Sequence, residues 1–165
     1  MHRLWERLSR DGLLKPGAEP RAEPRAAGRA DLELLRLCDR GALEGGLSIA
    51  LDVRPDEAFG ALCTAIGGKA RGIRVVDVRD RPAPELRVRL GDVEERWEVE
   101  DLHALAHNLN QLLAEDPAAR AVAILGEWGD ALQLWCVPKA KLPALLRADY
   151  FAPHNRRQLE SLADR

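Results

Sequence analysis

Two histidines, His103 and His107, stand four residues apart in a helix-patterned segment, and Asn110 extends the same stripe. That spacing puts two imidazoles one turn apart, where both can ligate a single metal ion. A zincin helix places a glutamate beside the first histidine; here that residue is Ala104, and no third ligand follows at a recognisable spacing. His103 and His107 are the candidate metal ligands, with a solvated or partner-facing pair as the plainer reading. A second set is acidic: Asp77, Asp80, Glu94, Glu98 and Asp101 lie on or beside neighbouring strand-like runs. Carboxylates so placed can hold Mg²⁺ for phosphodiester cleavage.

The order helix-strand-strand-strand-helix-strand is similar to the core order of restriction-endonuclease-like nucleases, which carry an acid-x-lysine on a strand. The nearest strings here are Glu85-Leu86-Arg87 and Glu94-Glu95-Arg96, and no lysine occurs between Lys69 and Lys139. A metal-dependent hydrolase or nuclease is the alternative reading of function.

Other chemistries lack their residues. Ser48 and Ser161 lie in no GxSxG elbow, and neither GxxxxGK[ST] nor GxGxxG occurs. Cys38, Cys63 and Cys136 are odd in number, widely spaced and form no CxxC, so they are expected as buried free thiols. No catalytic residue and no cofactor is assigned.

Contact residues are easier to nominate. Trp128 lies between Gly126 and Gly129 in the expected loop of a hairpin, and tryptophan at a loop tip is enriched at interfaces. Trp97 and Trp135 are expected in the core. Glu94 and Glu98 mark an acidic hairpin that suits a basic partner. Trp5 and Leu8 lie on the apolar side of a short amphipathic helix within residues 1–14, which could serve as a docking peptide or fold back on the body. Its charges and its lack of an apolar centre do not suit a secretory signal, no apolar run reaches membrane-span length, and cytoplasm is the expected compartment.

The elements that must position these residues follow from periodicity and punctuation. Residues 15–30 contain the tandem Ala18-Glu19-Pro20-Arg21 and Ala22-Glu23-Pro24-Arg25, and read as a linker. Asp31 suits the cap of a helix at 32–40. Leu47, Ile49, Leu51 and Val53 alternate with Ser48, Ala50 and Asp52, a strand with one buried face. Pro55 opens a helix carrying Phe59, Leu62, Cys63 and Ile66, closed by Gly67-Gly68. Strands are expected at 73–78, 85–90 and 93–99, with Pro82 and Pro84 between the first two. For the hairpin at Gly91-Asp92, a two-residue loop would set Arg87 against Arg96. A four-residue loop sets Leu86 against Val99 and Val88 against Trp97, and is favoured because apolar faces apolar. Asp101 caps a helix at 102–115 bearing Leu102, Leu105, Leu109, Leu112 and Leu113. A hairpin follows, with strands at 121–125 and 131–137 around the 126–130 loop. Next come a helix near 142–150 and a last short helix for which Asn155 is the expected cap.

The expected fold is α+β: one antiparallel sheet of five to six strands covered by helices on one face, in the order β-α-β-β-β-α-β-β-α, spanning residues 31–165 as a single domain. From residue 55 to 150 the element order is similar to that of small secretion chaperones, which are dimeric α+β adaptors. The resemblance rests on element order, without a shared motif.

Charge completes the reading. The 165 residues carry 25 Lys+Arg against 27 Asp+Glu, a net charge of -2, which argues against bulk electrostatic binding of nucleic acid. The average hides segregation: residues 69–81 are net +3, residues 85–116 net -6 and residues 136–165 net +3. A non-enzymatic bacterial-type protein-binding module is the expected function: an adaptor, chaperone-like or immunity-like protein acting through a charge-segregated surface. A homodimer, or a structural subunit docked through residues 1–14, also suits the pattern.

Overall fold

The computed structural model describes residues 2–19, 30–80, 84–148, 150–151 and 153–163. The repeats of the expected linker from Pro20 to Arg29, and Pro82 of the first strand connection, lie outside the described residues.

The fold is α+β, with six α-helices and six strands among the described residues. The chain runs α1 (His2–Arg10), α2 (Ala30–Asp39), β1 (Gly46–Ala50), α3 (Pro55–Ile66), a 3-10 turn (Gly68–Gly72), β2 (Arg74–Arg79), β3 (Glu85–Leu90), β4 (Val93–Glu98) and α4 (Leu102–Leu112). It continues through β5 (Arg120–Trp128), β6 (Ala131–Pro138), α5 (Leu142–Arg147) and α6 (Pro153–Ala163).

The strands form two sheets, not the single one expected. One has the order β1-β6-β5 and the other β2-β3-β4, and all pairs are antiparallel. The division has a local cause. α4 stands between β4 and β5, and its buried Asn110 satisfies the outer edge of β5: Nδ2 donates to the Val122 carbonyl at 2.9 Å, and the Val122 N–H donates to Oδ1 at 2.8 Å. An edge occupied in this way does not accept another strand. Asn110 thus turns inward, away from the histidine stripe to which its spacing assigned it.

Helices cover both faces of the β1-β6-β5 sheet, again unlike the one-sided arrangement expected. Val122, Ile124, Leu132, Leu134 and Cys136 face α3 and α4, while Ala121, Ala123, Trp135 and Val137 face α1, α2, α5 and α6. Two-sided burial explains why β6 is apolar at nearly every position rather than at every second one. On the far side of α3 and α4 lies the second sheet, whose Leu86, Val88 and Trp97 close the core against Phe59. Leu105 and Leu109 of α4 are fully buried, each worth about 2 kcal/mol in removed apolar surface.

Helix termini follow local chemistry where it was legible. Asp101 caps α4 through its carboxylate, which accepts the Ala104 N–H at 2.8 Å, and Pro55 occupies the first turn of α3. α1 is seated on its own chain: Leu4, Leu8 and Leu13 join the core beside α2 and α5, and Arg7 donates to the Ala144 carbonyl at 3.0 Å. Leu14 bridges to Leu43, with the Lys15 N–H on the Ala42 carbonyl at 2.9 Å.

Three further expectations change. The β3–β4 hairpin has the two-residue register, pairing Leu86 with Trp97 and Arg87 with Arg96, not the four-residue one. Gly91 takes φ 59°, the left-handed geometry that a tight primed turn requires. The Arg87–Arg96 juxtaposition is tolerated because Glu94 lies 3.4 Å from Arg87 and 2.7 Å from Arg89. Next, Trp128 is not in a loop: β5 extends to it, opposite Ala131, leaving Gly129-Asp130 as the connection. Last, Asn155 does not cap α6. It is buried, and its Nδ2 donates to the Ile124 carbonyl, the next outward-facing group on the β5 edge.

Candidate interaction surface

Antiparallel cross-strand partners share a face. Since Leu86 and Val88 point into the core, Glu85, Arg87 and Arg89 of β3 point outward. Their partners on β4 are Glu98, Arg96 and Glu94, and on β2 Arg79, Asp77 and Arg74. A bulge between Val75 and Asp77 keeps β2 in this alignment. The outer face of the second sheet is therefore a lattice of arginines and carboxylates with no apolar member among these paired positions.

Glu94 is its hub. Its carboxylate accepts from Nε and Nη2 of Arg89 at 3.1 and 2.7 Å. These hydrogen bonds, followed by the charges of Arg87, Arg89 and Arg96, hold its pKa below the usual carboxylate value. Glu98 is exposed and stands opposite Glu85. On the core-facing side of β4, Glu95 accepts the Trp97 indole N–H at 2.7 Å. The acidic character expected from residues 85–116 does not describe this face, because Arg87, Arg89 and Arg96 share it with the glutamates.

Four of the five strand-associated acids are dispersed among separate partners, and the fifth, Glu98, faces Glu85. Asp80 pairs with Arg54 at 2.9 Å, Asp77 with Arg79 at 3.3 Å and Glu94 with Arg87 and Arg89. Asp101 caps α4 and lies 3.7 Å from His103 Nδ1. His107 sits between Gln111 at 2.9 Å on its Nε2 and Gln158 at 3.0 Å on its Nδ1, joining α4 to α6. Among the described residues no three His, Cys, Asp or Glu side chains gather as a metal-ligand group.

The remaining nominated residues lie elsewhere. The Arg36 guanidinium stacks over Trp128 at 5.4 Å from the ring centroid, which leaves the indole half-buried. Trp5 is half-buried and Leu8 fully buried under α1, so Leu8 offers no surface in this arrangement. The three cysteines are free and buried.

Sequence reasoning missed the arginines of the lattice. The signal was available: Arg87 and Arg89 alternate with Leu86 and Val88, and cross-strand pairing then selects Arg74 and Arg96. No helix among the described residues is long and apolar enough to cross a membrane. Comparison with known proteins found no matching family, no matching curated protein and no matching solved structure.

Proposed function

We propose that the protein is a non-catalytic protein-binding module whose recognition surface is the outer face of the β2-β3-β4 sheet. The observation that carries this reading is the mixing of five arginines and four carboxylates on one face of three paired strands, on a sheet whose other face is locked into the core. A face of mixed sign selects a partner by matching its charge pattern, and it discriminates through repulsion when the pattern is wrong. The partner is then a protein surface of mixed charge, and Glu94 and Glu98 act within the lattice rather than as an acidic patch. Rigid strand positions suit this task, since they fix charge spacing without ordering costs at binding.

The test is partner recovery from cell extract with the full chain and with the double charge swap Arg96→Glu, Glu98→Lys. The swap keeps the net charge and touches only exposed positions. Loss of a partner that the parent recovers, at unchanged melting temperature, supports the reading. Equal recovery by both proteins removes this face from recognition.

A further inference from the structure

A second surface feature lies away from this sheet. Lys15 follows α1, Arg71 lies in the 3-10 turn after α3, and Arg120 begins β5. These three side chains from distant segments line one open cleft of about 490 Å³, where Glu44 is the only acidic lining residue among the described ones. Arg120 is engaged loosely: one Glu44 oxygen accepts its Nη1 and Nη2 at 3.4 and 3.3 Å. Among the described residues neither Lys15 nor Arg71 belongs to an ion pair; the Lys15 ammonium lies beside Gly41, 3.8 Å from where a Cβ there would be.

The backbone makes room for this arrangement. Gly45 has φ 76°, and a Cβ there would fall 2.4 Å from the Cys136 carbonyl oxygen and 2.8 Å from Arg120 Nη1. Any side chain at Gly45 would occupy the space in which the Arg120 guanidinium sits. Gly67, also lining the cleft, has open space where its Cβ would be. Asp116 lies directly behind the lining Gly68; its ionised carboxylate accepts the Lys69 and Ala118 N–H groups at 2.7 and 3.1 Å, and the charges of Lys69 and Lys139 offset its own.

The geometry points to this cleft as a binding site for a small anion of the phosphate class, bearing at least two negative charges. Guanidinium groups pair with phosphate oxygens in bidentate fashion, and the basic side chains lining the cleft outnumber its one lining carboxylate among the described residues. The volume lies within the range of small-molecule sites and leaves room for more than a lone phosphate.

Calorimetric titration of the full chain tests this with inorganic phosphate, pyrophosphate and adenosine diphosphate at constant ionic strength. Pyrophosphate is expected to bind saturably at one site per chain and more tightly than phosphate. Arg71→Gln and Lys15→Gln, both at exposed positions, should each weaken it about tenfold. Arg147→Gln, which removes an equal charge outside the cleft, should change it less than about twofold. Binding of adenosine diphosphate tighter than pyrophosphate assigns a nucleotide, and equal binding assigns the diphosphate group alone; both support the site. Non-saturable binding, no binding, or equal weakening by all three substitutions overturns it.

Discussion

Asn110 on α4 and Val122 on β5 exchange two hydrogen bonds, Nδ2 to the carbonyl at 2.9 Å and N–H to Oδ1 at 2.8 Å, as a neighbouring strand would. A side chain here replaces a strand at the sheet edge. Replacing Asn110 with leucine leaves a buried donor and acceptor unpaired, at a cost of about 2–4 kcal/mol. Urea unfolding should show this loss, and light scattering should show more self-association, because the β5 edge becomes available for pairing.

Lys139 closes the C-terminal end of α4. Its Nζ donates to the carbonyls of Leu113, Ala114 and Asp116 at 2.6, 2.8 and 2.9 Å. A cation at a helix C-terminus also complements the macrodipole. Lys139→Met should lower stability by about 2–3 kcal/mol in denaturant titration, because it removes a charged donor from three carbonyls. The same substitution at exposed Lys69 should cost less than about 0.5 kcal/mol, since it is the Lys69 backbone, not its ammonium, that donates to Asp116.

Asp116 gives stability a dependence on pH. The Lys69 N–H first, then the Ala118 N–H and the charges of Lys69 and Lys139, hold its pKa below the usual aspartate value. A carboxylate depressed in this way binds fewer protons folded than unfolded. Its contribution is complete above the unfolded value, about 3.9, and is lost as pH falls through the lower folded value. Melting temperatures measured from pH 6 downward should therefore fall more steeply for the parent than for Asp116→Asn, which starts lower and changes less.

Gly91 tests the hairpin. Its φ is 59°, and a Cβ there would meet no atom within 4 Å, so only backbone strain opposes a side chain. Gly91→Ala should cost about 1 kcal/mol and Gly91→Asn less, because asparagine tolerates the left-handed region. Equal costs for the two would show that the turn does not need that conformation.

The thiols report burial. Cys38 and Cys63 are pushed up to about 11 and Cys136 to about 12, in each case chiefly by desolvation. Cys38 also donates to the Leu134 carbonyl at 3.2 Å. All three should resist a disulfide-exchange reagent at pH 8 in the folded state and react fully in denaturant. Rapid labelling of one thiol in the native protein would contradict its burial.

Several features were legible because they depend on residues close in the chain. The α3 stripe of Phe59, Leu62, Cys63 and Ile66, the Asp101 cap and the alternation of β3 each express a period or a local hydrogen bond. The hairpin register was not legible, and the reason is specific. The two registers considered differ by two residues, and a strand's faces repeat every two, so both send Leu86, Val88 and Trp97 inward. The hydrophobic pattern cannot separate them; the tight turn at Gly91 does. The expected interaction residues fared similarly. Summed charge along residues 85–116 suggested an acidic surface, but pairing decides which charges meet. It brings Arg74, Arg87, Arg89 and Arg96 onto the face that carries Glu94 and Glu98.

By itself, then, the order of residues determined the elements, their buried faces and the α+β class, since periodicity and capping act over a few positions. Tertiary structure alone decided that the strands divide into two sheets. That choice rests on Asn110 reaching Val122 and Asn155 reaching Ile124, contacts across 12 and 31 residues. A polar side chain's partner is set by what it lies beside in space, and buried polar groups must find one. Until the chain is folded, Asn110 is one more residue on a histidine stripe; once folded, it is the edge of a sheet.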